Sequence, residues 1–288
     1  MKKVSISKVV SYILRQISLK KVTANVVSIA PNDLLKGKTA IITGGTSGIG
    51  LSIAKSFINS GANVIITGRN RNKLNHAYEL LKSLGTSVTV EVLELDNSDI
   101  ASIEEKIPEF LKKHVNVDIL VNNAGVIGGF WSNATSEQYD NVMNTNLKGT
   151  FFLSRLIARH MIKNKIEGHI VNICSSSSNR PADSAYALSK WGLKGFTLGM
   201  AKSLIKHGVI VNGIAPGPTA TPMLGKGGEN IRIDNRFSPL GRMTLPEEIA
   251  NMAVFLASPL GNSIVGDVIN MSGGSGLITF DDISYDFE

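Results

Sequence analysis

Tyr186 and Lys190 stand four positions apart in Ala185-Tyr186-Ala187-Leu188-Ser189-Lys190-Trp191, so on a helix their side chains share one face. A phenol titrating near ~10 is a sluggish base at neutral pH. A neighbouring ammonium favours the phenolate and brings the group towards a useful range. Such a pair can give a proton to a carbonyl oxygen as hydride reaches the carbon, and take it back in the reverse direction. The same spacing alone describes an ordinary surface pair, so its surroundings decide. Just upstream, the apolar run His169-Ile170-Val171-Asn172-Ile173 leads through Cys174 into Ser175-Ser176-Ser177-Ser178, hydroxyls at a strand end. His76, His114, His160, His169 and His207 show no metal-ligand spacing, and the single cysteine supplies no cluster. Cys174 reads most simply as a small buried residue.

A second constellation lies near the start. Ile41-Ile42-Thr43-Gly44-Gly45-Thr46-Ser47-Gly48-Ile49-Gly50 runs from a strand through a glycine-rich turn into a helix. Glycines there let the backbone approach a pyrophosphate, and the helix start offers free amides and the positive end of its dipole. A glycine-rich turn is weak evidence alone; in the first strand–helix–strand unit of an alternating chain it points to a dinucleotide.

These elements require a scaffold. Residues 39–42, 63–66, 88–95, 118–121, 169–173, 209–214 and a short run around Val268-Ile269 read as buried strands. Helix-length segments such as 49–60 and 100–114 lie between them. Alternation with near-continuous apolar strands predicts a doubly wound parallel α/β sheet of Rossmann type, with helices on both faces and right-handed crossovers. No repeat or linker indicates a second domain. The expected division is a basic extension over 1–35, a catalytic domain over 36–275 and an acidic tail over 276–288.

Thr43-Gly44-x-x-x-Gly48-x-Gly50 resembles the cofactor fingerprint of the short-chain dehydrogenases/reductases, and further matches follow in that family's order. Asn122-Asn123-Ala124-Gly125 resembles its strand-end motif, and Asn146 its helix asparagine. Tyr186-x-x-x-Lys190 resembles its catalytic pair, and Pro216-Gly217 with Thr221 the loop holding the nicotinamide carboxamide. The resemblance implies that Tyr186 is the acid in reduction and the base in oxidation. It gives Lys190 the tuning of that phenol and the holding of ribose hydroxyls. Ser175 would bond the substrate oxygen, with Ser176 as the alternative because the loop to Tyr186 is shorter than the family's usual one. Asn146 would hold a water or a main-chain carbonyl and link Lys190 to solvent. The implied cofactor contacts are Thr43, Gly44, Thr46, Ser47, Gly48, Ile49, Gly50, Arg69, Asp96, Asn123, Ala124, Gly125, Pro216, Gly217, Thr219 and Thr221, together with Tyr186 and Lys190. Asp96 is implied at the adenine, or else is a cap for the helix beginning near Ser98.

Cofactor choice turns on the end of the second strand, Ile66-Thr67-Gly68-Arg69-Asn70. A carboxylate there would bind a ribose 2′-hydroxyl and repel a 2′-phosphate. Gly68 stands in its place, and Arg69 suits a phosphate by charge and by its planar fork of donors. The expectation is NADP(H) over NAD(H), with Arg69 as a solvated loop residue the bland alternative.

The implied activity is an NADP(H)-dependent oxidoreductase interconverting a carbonyl and a secondary alcohol. The block from Gly241-Arg242-Met243 through Pro246-Glu247-Glu248-Ile249-Ala250 resembles 3-oxoacyl-carrier-protein reductases, but sugar, polyol and steroid dehydrogenases share it. A cofactor-binding scaffold without turnover is the reading from another class; intact Asn146, Ser175, Tyr186 and Lys190 favour the enzyme. Family analogy lines the substrate pocket with residues 128–131, 179–181 and 223–240, where Phe130 and Trp131 offer an apolar wall. Lys226, Arg232 and Arg236, partly offset by Glu229 and Asp234, suggest an anionic or carrier-bound substrate.

The net charge of +7 belongs mostly to the start of the chain, because Lys2, Lys3, Lys8, Arg15, Lys20 and Lys21 all precede the first acid, Asp33. A nucleic-acid groove would spread its charge over a folded face, so none is expected. The extension, with Val9, Val10, Ile13, Leu14 and Ile17 at helical spacing, reads as a packing arm, a membrane-surface helix or a mitochondrial-type presequence. No apolar run is long enough to span a bilayer, and a cytoplasmic location is expected. A homodimer or homotetramer is expected too, with the helix over 191–204 as interface.

Overall fold

The computed structural model describes residues 32–85, 87–225, 233–236 and 238–278; the basic extension before Asn32 and most of the acidic tail lie outside the described residues. Seven strands form one sheet: β1 (Thr39–Ile42), β2 (Asn63–Gly68), β3 (Val90–Glu94), β4 (Ile119–Asn122), β5 (His169–Ile173), β6 (Ile210–Pro216) and β7 (Val268–Met271). Their order is β3-β2-β1-β4-β5-β6-β7, and every pairing is parallel. Ile41 sits opposite Ile65 on one side and Leu120 on the other.

Alternate residues of each strand face opposite layers, because side chains on a strand repeat every two residues. Ala40 and Ile42 join Val64, Ile66, Val121 and Val171 in one core. That core takes in Phe57 of α1 (Gly48–Asn59), Leu74 of α2 (Arg71–Lys82) and Val254 of α7 (Pro246–Ala257). Ile41, Ile65, Leu120 and Ile170 enter the other core. They meet Ile103 of α3 (Ile100–Lys113), Leu153 of α5 (Gly149–Lys163) and Met200 of α6 (Ala185–Leu204) there. Each fully buried aliphatic side chain contributes about 1.5–3 kcal/mol, so both faces of the sheet are anchored.

Local chemistry sets the helix starts. Asn70 accepts from the Lys73 amide, Asp99 from that of Ser102, and Ser184 from that of Ala187. Thr135 and Gln138 form a reciprocal cap on α4 (Ser136–Met143). The cap of α3 is therefore Asp99. Asp96 instead accepts from the amide and hydroxyl of Ser98 at 2.9 and 2.7 Å, in the turn before that helix. Between α4 and α5 the chain makes a π-helical turn over Asn144–Lys148, a local widening that the hydrophobic pattern did not show.

The strand order steps outward from β1 in both directions, to β2 and β3 on one side and to β4–β7 on the other. A crevice opens beyond the carboxyl ends where such a reversal occurs. The sequence motifs follow β1, β2, β4, β5 and β6 at this edge.

Candidate active site

Three strand ends build the glycine-turn half of the crevice. Thr43 follows β1, and its hydroxyl accepts the amides of Asn123 and Ala124 at 2.9 Å each. The Asn123 amide group donates back to the carbonyls of Thr43 and Gly44 at 2.9 and 3.1 Å. Four bonds thus lock the strand-end motif onto the glycine turn. Gly44 and Gly48 have φ of 62° and 54°, a region costly for other residues. A Cβ on Gly50 would collide with the Gly44 carbonyl and the Asn123 amide. Ser47 starts α1 without a side-chain cap bond, and the first turn holds no acid, so its amides face the crevice uncompensated. That cradle fits an anionic pyrophosphate.

Gly68 closes β2, where a Cβ would lie 3.0 Å from the Thr46 methyl. Arg69 beside it is exposed and makes no hydrogen bond or ion pair among the described residues. Across the crevice, a Cβ on Gly48 would come within 3.2 Å of Thr221. The loop after β6 therefore reaches the glycine turn. Thr219 in that loop donates to the Gly217 carbonyl at 2.9 Å. Gly217 itself leaves no room for a side chain, with Ser272 2.7 Å from a built Cβ.

The other half of the crevice is centred on Gly125. A Cβ there would lie 3.5 Å from Asn146 Oδ1 and 3.8 Å from Lys190 Nζ, so the two side chains converge on one point. Lys190, only 4% exposed, donates to the Ile173 carbonyl at 2.7 Å and lies 5.7 Å from the centre of the Tyr186 ring. Asn146 binds the Val126 backbone from both sides, accepting its amide at 2.8 Å and donating to its carbonyl at 2.9 Å. It also donates to Ser189 Oγ at 3.1 Å, and that hydroxyl donates to the Tyr186 carbonyl at 2.7 Å. The π-turn carrying Asn146 is thereby fastened to the helix carrying Tyr186.

Ser175 and Ser176 part company here. Ser175 opens the 3-10 turn Ser176–Asn179, its hydroxyl accepting the Ser177 amide at 3.1 Å. Ser176 is packed towards the C-terminal segment, its carbonyl 3.3 Å from a Cβ built on Gly276. Burial pushes the neighbouring Cys174 thiol up to about 11, so it stays protonated near neutrality. Phe130 and Trp131 are exposed, and the Trp131 amide bonds the Asp183 carbonyl at 2.8 Å. The aromatic loop therefore lies beside the start of α6. Lys226, Glu229 and Arg232 lie outside the described residues. Among the described residues no helix is long and apolar enough to cross a membrane.

Sequence reasoning missed Ser189 and the carbonyls of Val126 and Ile173, since main-chain acceptors leave no trace in residue type. It also missed a buried polar chain behind the site. Asn122 donates to Asn172 at 2.8 Å and to Ser154 at 2.9 Å, and Asn172 donates to Thr197 at 2.8 Å. The doublet Asn122-Asn123 was the available signal: its first member faces the layer of α5 and α6.

Comparison with known proteins shows the family. The family model described as short chain dehydrogenase matches residues 38–232. A 3-oxoacyl-[acyl-carrier-protein] reductase of Chlamydia trachomatis is 37% identical over 84% of this chain and 98% of its own length. A gluconate 5-dehydrogenase of Gluconobacter oxydans is 34% identical over 83% of this chain and 95% of its own. A crystal structure of a short-chain dehydrogenase from Burkholderia cenocepacia in complex with NADP superposes with a TM-score of 0.75. It is 29% identical, and the match covers 84% of this chain and 98% of that one.

Proposed function

The chain belongs to the short-chain dehydrogenase family and is an oxidoreductase; from that premise we propose that it is an NADP(H)-dependent carbonyl reductase acting on 3-oxoacyl thioesters. The observation that carries the reading is the convergence of Lys190 and Asn146 on Gly125, with Tyr186 on the same helix face and the glycine cradle opposite.

When bound, the dinucleotide supplies the hydride. The residues of the chain do the rest. The uncompensated amides of Gly48, Ile49 and Gly50 hold the pyrophosphate, with Thr46 and Ser47 at the mouth of the turn. Asn123, Ala124, Gly125 and Asp96 line the adenosine side, and Pro216, Gly217, Thr219 and Thr221 the nicotinamide side. Ser175 donates to the substrate oxygen and Tyr186 Oη gives it a proton. Lys190, as an ammonium, favours the phenolate left behind. Asn146 fixes the Val126 backbone and, through Ser189, the helix that aims Tyr186. Ser175 is favoured over Ser176 because it stands nearer the end of β5, whereas Ser176 packs its backbone carbonyl and Cβ towards Gly276 in the C-terminal segment.

NADP(H) is favoured by the absent carboxylate at Gly68, the crowding of any side chain there by Thr46, and the free guanidinium of Arg69. Phe130 and Trp131, with exposed Met223, Leu224 and Leu240, support an apolar acyl chain. The gluconate dehydrogenase relative keeps a sugar-acid substrate as the second reading. Exposed Phe151, Leu188, Trp191 and Leu198 on α5 and α6 support a homo-oligomer built on that face; a monomer in sedimentation would remove it.

The test follows absorbance loss of NADPH and, separately, NADH against 3-oxoacyl thioesters, keto-sugar acids and ketosteroids. NADPH oxidation with the thioester, abolished in Tyr186→Phe and weakened through KM in Arg69→Ala, is expected. Turnover confined to keto-sugar acids transfers the chain to the second reading. Dinucleotide binding with no turnover in any assay favours a scaffold.

A further inference from the structure

The block 241–250 is unaccounted for by the chemistry above, yet its side chains are strongly bonded. Arg242 donates through both terminal nitrogens to both carboxylate oxygens of Glu248, at 2.9 and 2.8 Å. The fork is planar and bidentate, the geometry in which arginine is not replaceable by lysine. Arg242 also donates to the Met243 carbonyl at 2.9 Å, and Glu248 accepts the Leu245 amide at 2.7 Å. The two side chains close a ring over residues 242–248, and they are only 16% and 31% exposed. Glu248 stands in the first turn of α7, where the helix dipole favours its charge.

Residues 242–244, held by this ring, are flanked on both sides. On one side the Thr244 amide donates to the Pro218 carbonyl at 2.9 Å, and the Ala220 amide to the Thr244 carbonyl at 3.0 Å. On the other side the Met243 amide donates to the Ile233 carbonyl at 2.6 Å, and the Asn235 amide to the Gly241 carbonyl at 3.0 Å. The segment is the middle of a three-stranded strip joining the loop after β6 to residues 233–235. The strip is tied into the body of the protein twice. Ser52 of α1 donates to Glu247 at 3.2 Å, and Thr221 meets Gly48 at the start of the same helix. The circuit runs from the glycine turn along α1, across to α7, through Glu248 and Arg242 into the strip, and back by Thr221.

We propose that Arg242 and Glu248 are positioning residues that set the loop over 216–221 against the glycine turn, and residues 233–235 with it. The inference rests on the dinucleotide reading of that cleft. Neither residue touches the reacting atoms; the pair acts by fixing Thr244, whose backbone holds residues 218–220. Cofactor affinity and substrate KM therefore share one mechanical support.

The test compares the parent with Arg242→Lys, Arg242→Gln, Glu248→Gln and the double glutamine variant. NADPH affinity is read by fluorescence titration, KM against kcat by steady-state rates, and the Ala220, Met243 and Thr244 amides by hydrogen exchange. Expected are roughly tenfold weaker NADPH binding in each glutamine single variant and a parallel rise in substrate KM. The double variant should be no worse than the singles, because the two residues act as one unit. Arg242→Lys should not restore affinity, since a single ammonium cannot engage both carboxylate oxygens and the Met243 carbonyl in the fixed fork geometry. Those three amides should exchange faster while the β1 and β4 amides do not. Variants that only melt earlier, with NADPH affinity, KM and exchange of the Ala220, Met243 and Thr244 amides within twofold of the parent, overturn the clamp. A parent that binds neither NADPH nor NADH overturns the dinucleotide reading first, and the clamp falls with it.

Discussion

At Gly50 a single hydrogen atom separates a working cradle from a blocked one. Its Cα faces the Gly44 carbonyl and the Asn123 side chain, which are bonded to each other, and the Asn123 amide group also donates to the Thr43 carbonyl. Neither neighbour can retreat without breaking the joint between β1 and β4. Gly50→Ala is therefore expected to cost about 1–3 kcal/mol through overpacking and to weaken NADPH binding at least ~tenfold. Denaturant unfolding beside a fluorescence titration measures both, and parent-like affinity would show that the turn does not carry the pyrophosphate. Tyr186→Phe makes the contrasting case. It leaves the cradle untouched, so NADPH affinity is expected to stay within threefold while kcat falls by ~10² or more. A cofactor affinity that fell with kcat would place Tyr186 in binding rather than proton transfer.

The elements were legible wherever burial alone dictates the residue. β1, β2, β4, β5 and β6 read from their apolar runs because a parallel strand covered on both faces has no polar side to show. The apolar run 88–95 predicts a β3 starting at Val88, but the ladder begins at Val90, since pairing with β2 starts opposite Val64. What burial does not dictate was not legible. Asn122 and Asn172 sit inside strands that look apolar, and their purpose appears only when β4, β5 and α6 come together. The π-turn at Asn146 is similarly invisible, because one extra residue in a helix barely disturbs a periodic pattern. Asn172→Ala tests the buried chain. It removes the acceptor of Asn122 and the partner of Thr197, and is expected to cost about 1–3 kcal/mol. A double cycle with Asn122→Ala should show the two losses to be non-additive; independent losses, or a cost below ~0.5 kcal/mol, would show that the amides are not coupled.

For the whole molecule, pH reports on two distant parts of the fold. His169 opens β5 at the amino edge of the sheet, where burial first and the Lys38 ammonium second hold its pKa below the ordinary 6.5. Among the described residues its Nδ1 has no partner, and Lys38 is paired with Asp118 at 3.1 Å. The native state therefore resists a proton that the unfolded chain accepts. Stability is full above about pH 6.5 and is lost as the pH falls from there towards the depressed native value. At the opposite edge, the Arg242 guanidinium holds the Glu248 carboxyl below its ordinary 4.5. Its contribution is full above that value and fades as the pH falls through the native one. Two windows follow from two edges of one sheet. Each proton taken up on unfolding gives at most a slope of about 1.4 kcal/mol per pH unit. His169→Gln should flatten the limb just below pH 6.5 and leave the lower one intact, while Glu248→Gln should do the reverse. Unfolding free energies measured by denaturant between about pH 8 and 2 decide it. A limb unchanged in His169→Gln would mean that the histidine carries a proton in the native state and that burial at this edge does not control it.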